Sequence, residues 1–492
     1  MKNRRKTISN GLIYISFFAV ILLWFGITRF HYIMGDDLIY IYDRFARNGF
    51  IKTFMNPDSL GAGKLRPIAY MVLYIPYLIC GKDYSKYFLF NELALGCLTI
   101  AIFRICQKIN IKKFYAYITA VMVVITPFST YAVYQVFGIC EIFSLLCCII
   151  FIYFTILLYN TTDIHMIMKY NLEIAVVFFL LIFNAERFIY IIIPFSLVVL
   201  LKKDHKVIHK FFSVLAVCTP IILRQVIYYA MRIDSISTGR GEATDLMGTL
   251  VAFALKGLVN MMGFSIGDQW HGGFQIQEIS QYILIINICV SMAFIFLICR
   301  GISKCIEKRK LSDWVIVFIF SISSLFCYAL VGETHGEDRF LWIPYLLCLI
   351  SIFKFITDNT PGKKVNIVII IVFCFIAISD KYYMQVKDHV HYRYSEVMAQ
   401  TCMENMKNLN GLENIADIVC IGATDYEWVF GDQLFFHYYI SSDIDTHYYE
   451  AYSDIPEFLK SETTVIVYPD SEYTIPYGVT VEWIHDYSNS KI

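Results

Sequence analysis

The stretch GLIYISFFAVILLWFGITRFHYIMGDD, residues 11–37, decides how the rest of the chain is read. Residues 11–30 are almost uninterruptedly apolar, long enough for a helix crossing a bilayer core of about 30 Å. Asp36 and Asp37 follow at once. Two neighbouring carboxylates beside an apolar phase repel each other and lose solvation, so they are easier to explain as a working acid or base than as packing. The plainer alternative is a solvated acidic loop.

Working outward, the same character recurs. Hydrophobic residues make up 58% of the chain and charged residues 17%, with mean hydropathy +0.57. That is far from the usage of soluble proteins, and it predicts a polytopic membrane protein. The first apolar run is too long and too apolar for a signal peptide, and no small-residue cleavage site follows it. The charges balance to a formal net of zero with no basic face, which argues against nucleic-acid binding. Most of the 15 cysteines sit inside apolar runs, where they behave as small hydrophobes. Cys402 and Cys420 lie in the polar tail and could pair in an oxidising space.

Loop charge predicts the topology. Basic segments at the N-terminus (Lys2, Arg4, Arg5, Lys6) and at 104–113, 202–210, 300–310 and 354–364 are expected on the cytoplasmic side. The segments 31–66, 131–137, 184–187, 231–280 and 332–339 are neutral, mixed or acidic and are expected outside. Apolar runs at 114–130, 138–158, 172–183, 188–201, 211–230, 281–299, 313–331, 340–353 and 365–379 alternate between them. Pro67 to Cys80 is short for a span and reads as a re-entrant element, with 87–104 crossing inward. The expectation is an all-α membrane domain over residues 1–379, with about 11 transmembrane helices plus short re-entrant or interfacial ones. Residues 380–492 carry 19 acidic and 6 basic residues. They read as a separate, extracytoplasmic α/β domain: a helical stretch at 381–409, then β-prone runs at Ile418–Ile421 and Thr464–Tyr468.

This topology gathers costly polar residues on the outer face. They are Asp36, Asp37, Lys64, Arg66, Glu92, Glu141, Glu186, Arg187, His335, Glu337, Asp338 and Arg339. Ionisable groups at membrane depth are rare unless they pair or line a wet cavity, so a convergent set of both signs reads as a site. Taken singly, each has an ordinary explanation: a satisfied helix-end carboxylate, a local ion pair at the turn 184–187, or an interfacial anchor. The aromatic residues Tyr131, Tyr134, Trp270, His271 and Trp342 could stack on sugar rings or form an interfacial belt.

An ordered pattern then emerges. Asp36-Asp37 follows the first span; Arg66-Pro67 precedes an apolar run ending in Gly81-Lys-Asp-Tyr84; Phe90-Asn91 lies in the next run; Asn184-Ala-Glu-Arg187 forms a charged turn; and Glu337-Asp-Arg-Phe-Leu-Trp-Ile-Pro344 comes late. Over roughly the first 200 residues and 332–350 this resembles the GT-C superfamily of multi-spanning glycosyltransferases, which includes protein O-mannosyltransferases and bacterial aminoarabinose transferases. The chain departs from some branches in having Arg-Pro where they carry a Lys-Pro-Pro type motif.

The resemblance implies hexosyl transfer with inversion. The donor would be a polyprenyl-phosphate sugar and the acceptor a cell-envelope glycan, teichoic acid or protein at the outer face of a bacterial cytoplasmic membrane. It assigns the general base to Asp37 or Asp36. Lys64, Arg66, Glu141, Glu186, Arg187, His335, Glu337 and Arg339 would contact substrate or phosphate. A divalent cation could neutralise the phosphate instead, as in some branches, although Asp36-Asp37 lacks an evident third ligand. Two rivals are weaker. A transporter or flippase of lipid-linked sugars or polysaccharide predicts charges along a path to the cytoplasm and internal repeats. A membrane acyltransferase wants an intramembrane histidine, whereas His335 lies in a loop.

Overall fold

The computed structural model describes residues 2–26, 31–55, 66–81, 83–231, 311–331, 338–359, 391–422, 429–431, 433–469 and 478–490, with scattered positions in 247–303 and 367–378. Two compact units are formed. The first comprises Met1–Ile27, Asn56–Leu73 and Leu89–His389; the second comprises Thr28–Met55, Tyr74–Phe88 and Val390–Ile492.

The first unit is helical. Its elements are α1 (Lys2–Phe25), α2 (Pro67–Cys80) as far as Leu73, α3 (Tyr84–Lys108) from Leu89, α4 (Lys113–Met122), α5 (Gly138–Asn160), α6 (Ile164–Asn184), α7 (Ile192–Leu201), α8 (Val207–Ala230), α9 (Asp313–Val331) and α10 (Trp342–Asp358). Among the described residues, α3, α5, α6 and α8 are long and apolar enough to cross a membrane. Leu172, Val176, Leu200 and Ile222 are exposed on the outside of this unit. In water such faces would be unfavourable, whereas lipid solvates them and the helical ladder satisfies the backbone. The apolar runs expected at 281–299 and 365–379 lie mostly outside the described residues.

Two runs expected as single spans are interrupted, for local reasons. Residues 114–130 do not form one helix: α4 stops at Met122, a short 3-10 turn begins at Pro127, and the axis bends by 63°. Pro127 drives the preceding Thr126 into extended backbone (φ −140°, ψ 147°), which ends any helix there. The carbonyls released by the break are taken up. Ser129 Oγ donates to Val124 and Thr126 at 2.7 Å each, and the buried Trp342 Nε1 donates to Val123 at 2.9 Å. Trp342 is thus a core residue closing a broken helix, and not a sugar-stacking platform. Likewise 188–201 divides into a 3-10 segment (Glu186–Ile191) and α7.

Gly138 opens α5 against the preceding turn, where an added Cβ would overlap the Ala132 backbone. Gly138→Ala is therefore expected to destabilise the protein by about 1–3 kcal/mol, the usual cost of overpacking, read as a lower melting temperature in detergent. Antiparallel α9 and α10 are stitched by Ser321 Oγ to Pro344 O and Ser351 Oγ to Trp314 O, both 2.8 Å.

The second unit is α/β. A four-stranded sheet has the order β2-β1-β3-β4, with β1 (Asp417–Ile421) parallel to β2 (Asp445–Tyr449) and β3 (Thr464–Pro469), and β4 (Val479–Trp483) antiparallel to β3. The central strands β1 and β3 are nearly continuously apolar and buried, as strands covered on both faces must be. Helix α11 (His391–Asn408) is tied to β4 by Asn405 Nδ2 to Val479 O at 2.7 Å and by Val479 N–H to Thr401 Oγ1 at 3.1 Å. Val419, Ile421, Ile455, Leu459, Ile466 and Ile484 form the core beside the sheet. Both strands expected from sequence are present, and so is the helix before them from His391 onward. Cys402 and Cys420 are not paired: both are free, buried thiols whose pKa values burial raises.

Candidate functional site

In the second unit the chain turns at Gly35, whose positive φ of 57° suits a residue without a side chain, and enters a helical turn at Asp36–Leu38. The two aspartates part company there. Asp36 is exposed, whereas Asp37 is only 2% exposed and its Oδ2 accepts a hydrogen bond from the Tyr84 hydroxyl at 2.9 Å. First-turn amides carry partial positive charge, which favours a carboxylate at this position. A π-helix, Ile39–Asn48, continues the element and buries Tyr40, Ile41, Arg44 and Phe45. Thr53 Oγ1 bonds the Arg44 carbonyl at 2.8 Å.

The segment before the pair is held as well. His31 N–H donates to Glu396 Oε1 at 2.7 Å, Ile33 N–H to the Tyr439 hydroxyl at 2.7 Å, and Gly35 N–H to the Val429 carbonyl at 3.0 Å. Burial pushes the Glu396 carboxyl up to about 7, against the opposing pull of its bonds from His31.

The first unit holds a second ionic group. Arg66 forms a fork with Glu186, Nε to Oε2 at 2.7 Å and Nη2 to Oε1 at 2.5 Å. Arg187 pairs with Glu141, and its guanidinium lies over the rings of Phe340 at 4.6 Å and Phe188 at 5.0 Å. Glu141 and Glu186 occupy first turns, of α5 and of the 3-10 segment respectively, where helix ends favour anions. Cys140 Sγ also reaches the Ala69 carbonyl at 3.5 Å, bringing the starts of α2 and α5 together. Two pairs this poorly solvated are expensive, and such pairs recur where charge has work to do.

Several expected residues therefore meet in pairs: Arg66 with Glu186, and Arg187 with Glu141. Lys64, His335 and Glu337 lie outside the described residues; so does the side chain of Arg339, whose backbone belongs to the short helix Asp338–Leu341. That helix instead meets Arg187 through Phe340. Asn91, quoted within the sequence pattern, is buried and donates to the Gln135 carbonyl at 2.7 Å, which is a structural role. Tyr84 was missed as a functional residue, although Gly81-Lys-Asp-Tyr84 belongs to the pattern. Among the described residues no three His, Cys, Asp or Glu side chains are grouped to hold a metal ion.

No family model matches the chain, and no curated protein does. Among solved structures it is similar to the Archaeoglobus fulgidus oligosaccharyltransferase in the apo form, with TM-score 0.49 and 10% identity over 93% of this chain and 69% of that one. It is similar also to ArnT from Cupriavidus metallidurans. The apo state gives TM-score 0.47 and 11% identity over 96% of this chain and 98% of that one. The undecaprenyl phosphate-bound form gives 0.45 and 10% over 95% and 97%.

Proposed function

We propose that this chain is a GT-C-type glycosyltransferase that moves a sugar from a polyprenyl-phosphate donor to a hydroxyl of a cell-envelope glycan, teichoic acid or protein. The outer face of the cytoplasmic membrane is its place of action, a reading supported by the basic loops expected on the opposite side. The observation that carries the proposal is the Asp37 carboxylate, buried at the start of a helix and oriented by Tyr84.

A sugar or protein hydroxyl is a poor nucleophile, so a positioned carboxylate must take its proton as the bond forms. Asp37 accepts that proton while the acceptor oxygen attacks the anomeric carbon. The bond from that carbon to the phosphate oxygen breaks with inversion, and polyprenyl phosphate leaves with the electron pair. Arg66 and Arg187 are assigned to the phosphate, whose growing negative charge guanidinium groups stabilise strongly in a poorly solvated place. Glu186 and Glu141 fix the two guanidinium planes. In this scheme the two carboxylates orient cations and do not themselves touch phosphate, which they would repel.

The test uses right-side-out membrane vesicles containing the protein and a radiolabelled polyprenyl-phosphate sugar. Label is expected to pass into acceptor material at the outer surface, with one polyprenyl phosphate released per sugar. Movement of the intact lipid-linked sugar across the bilayer, with no bond broken, would establish a flippase and end this reading.

A further inference from the structure

Residues 31–35 form no helix or strand of their own, yet the main-chain N–H groups of His31, Ile33 and Gly35 are bonded, and that of Tyr32 also faces the Glu396 carboxyl. The acceptors are Glu396 Oε1 for His31, the Tyr439 hydroxyl for Ile33 and the Val429 carbonyl for Gly35. Main-chain hydrogen bonds are also how a sheet edge grips an added strand. Here the grip is made by two side chains and one carbonyl, drawn from α11, from α12 (Leu434–Tyr439) and from the turn before it.

The surroundings reinforce the hold. Tyr32 meets Tyr439 edge-on at 5.2 Å, and Tyr42 meets Tyr438 at 5.0 Å. A Cβ on Gly431 would stand 2.9 Å from Leu38 Cδ1 and 3.3 Å from the Gly35 carbonyl, so this backbone closes on the residues flanking the aspartate pair from both sides. Simple docking of one element on another would be served by apolar contact alone. Three main-chain donors captured immediately before Asp36 fix, in addition, where the following helical turn begins.

We propose that Glu396 and Tyr439, with the Val429 carbonyl, are positioning groups for sugar transfer: they set the 31–35 segment and thereby aim the Asp37 carboxylate. The inference rests on Asp37 being the base. A reacting group displaced by a fraction of an ångström loses much of the advantage of orientation, so the expected effect falls on turnover and not on donor binding.

The test uses the full-length protein in nanodiscs. Tyr439→Phe and Glu396→Ala are each expected to lower kcat about tenfold, the effect of one lost neutral hydrogen bond or somewhat more, with KM for the donor unchanged. Glu396→Gln, whose amide oxygen still accepts from His31 N–H, is expected to recover most of the loss. Amide hydrogen exchange over 31–35 should quicken in the two impaired variants and stay slow in Glu396→Gln. Unchanged kcat in both impaired variants, or lost kcat without faster exchange, overturns the positioning role. Transfer retained by Asp37→Asn overturns the base assignment beneath it, a distinct result, since the positioning role alone fails when Asp37→Asn is inactive and the other variants are not.

Discussion

Asp37→Asn is expected to lower sugar transfer by about 10²–10⁴-fold, the range for losing a positioned general base, while Asp36→Asn keeps most of the wild-type rate. The two substitutions change the same charge at neighbouring positions, so a difference between them isolates position from electrostatics. Asparagine matches aspartate in shape and keeps an oxygen to accept from the Tyr84 hydroxyl, so the local fold should survive. What it cannot do is take a proton. Asp36 stands exposed one residue earlier, where a solvated carboxylate contributes little to a reaction in a sheltered place. Initial rates with saturating labelled donor, alongside thermal melting to confirm folding, measure the effect. Equal rates in both single variants and in the double variant would remove Asp37 from the mechanism.

The second large effect concerns stability. Arg187→Ala should destabilise the protein by about 3–5 kcal/mol, the usual consequence of leaving a buried carboxylate without its partner. The Glu141 side chain is only 6% exposed, whereas that of Arg187 is 30% exposed and lies over two aromatic rings. The pair is therefore asymmetric. Glu141→Gln leaves a guanidinium that still reaches solvent and the faces of Phe188 and Phe340, so it should cost clearly less than Arg187→Ala. Glu141→Leu combined with Arg187→Met removes both charges and should regain most of the stability, because the desolvation cost disappears with the pair. Denaturant unfolding of Glu141→Leu, Arg187→Met and the double variant in one detergent gives the coupling directly. Additive losses in the double variant would show that the ion pair contributes nothing of its own.

Much of this architecture was legible in the chain because bilayer-length apolar runs leave few choices: the helices α3, α5, α6 and α8 follow from composition and length. The aspartate pair stood out for a related reason, as charge next to a long apolar stretch needs an explanation. The break at Thr126 was also written in the sequence, since a proline restricts the residue before it, but hydropathy outweighed it in the reading of 114–130. Trp342 reads in the sequence as either a sugar platform or part of an interfacial belt, because a tryptophan near a span end commonly lies at an interface. Only the fold reveals that its indole N–H closes the Val123 carbonyl. Tyr84 and the grip on residues 31–35 were harder to read, for they depend on pairings between distant parts of the chain. No periodicity or spacing encodes that Ile33 meets Tyr439, and nothing in the tail's acidic composition singles out Glu396.

That separation along the chain has a bearing on biosynthesis. The acceptors for His31 and Ile33 lie 365 and 406 residues downstream. When the first apolar helix enters the translocon, the residues that will secure the loop behind it have not been translated. A polypeptide released before Glu396 would have the Tyr84 hydroxyl for Asp37 but neither side-chain acceptor for residues 31 and 33. The hold on the segment before the aspartate pair is therefore complete only after residue 439 has been made.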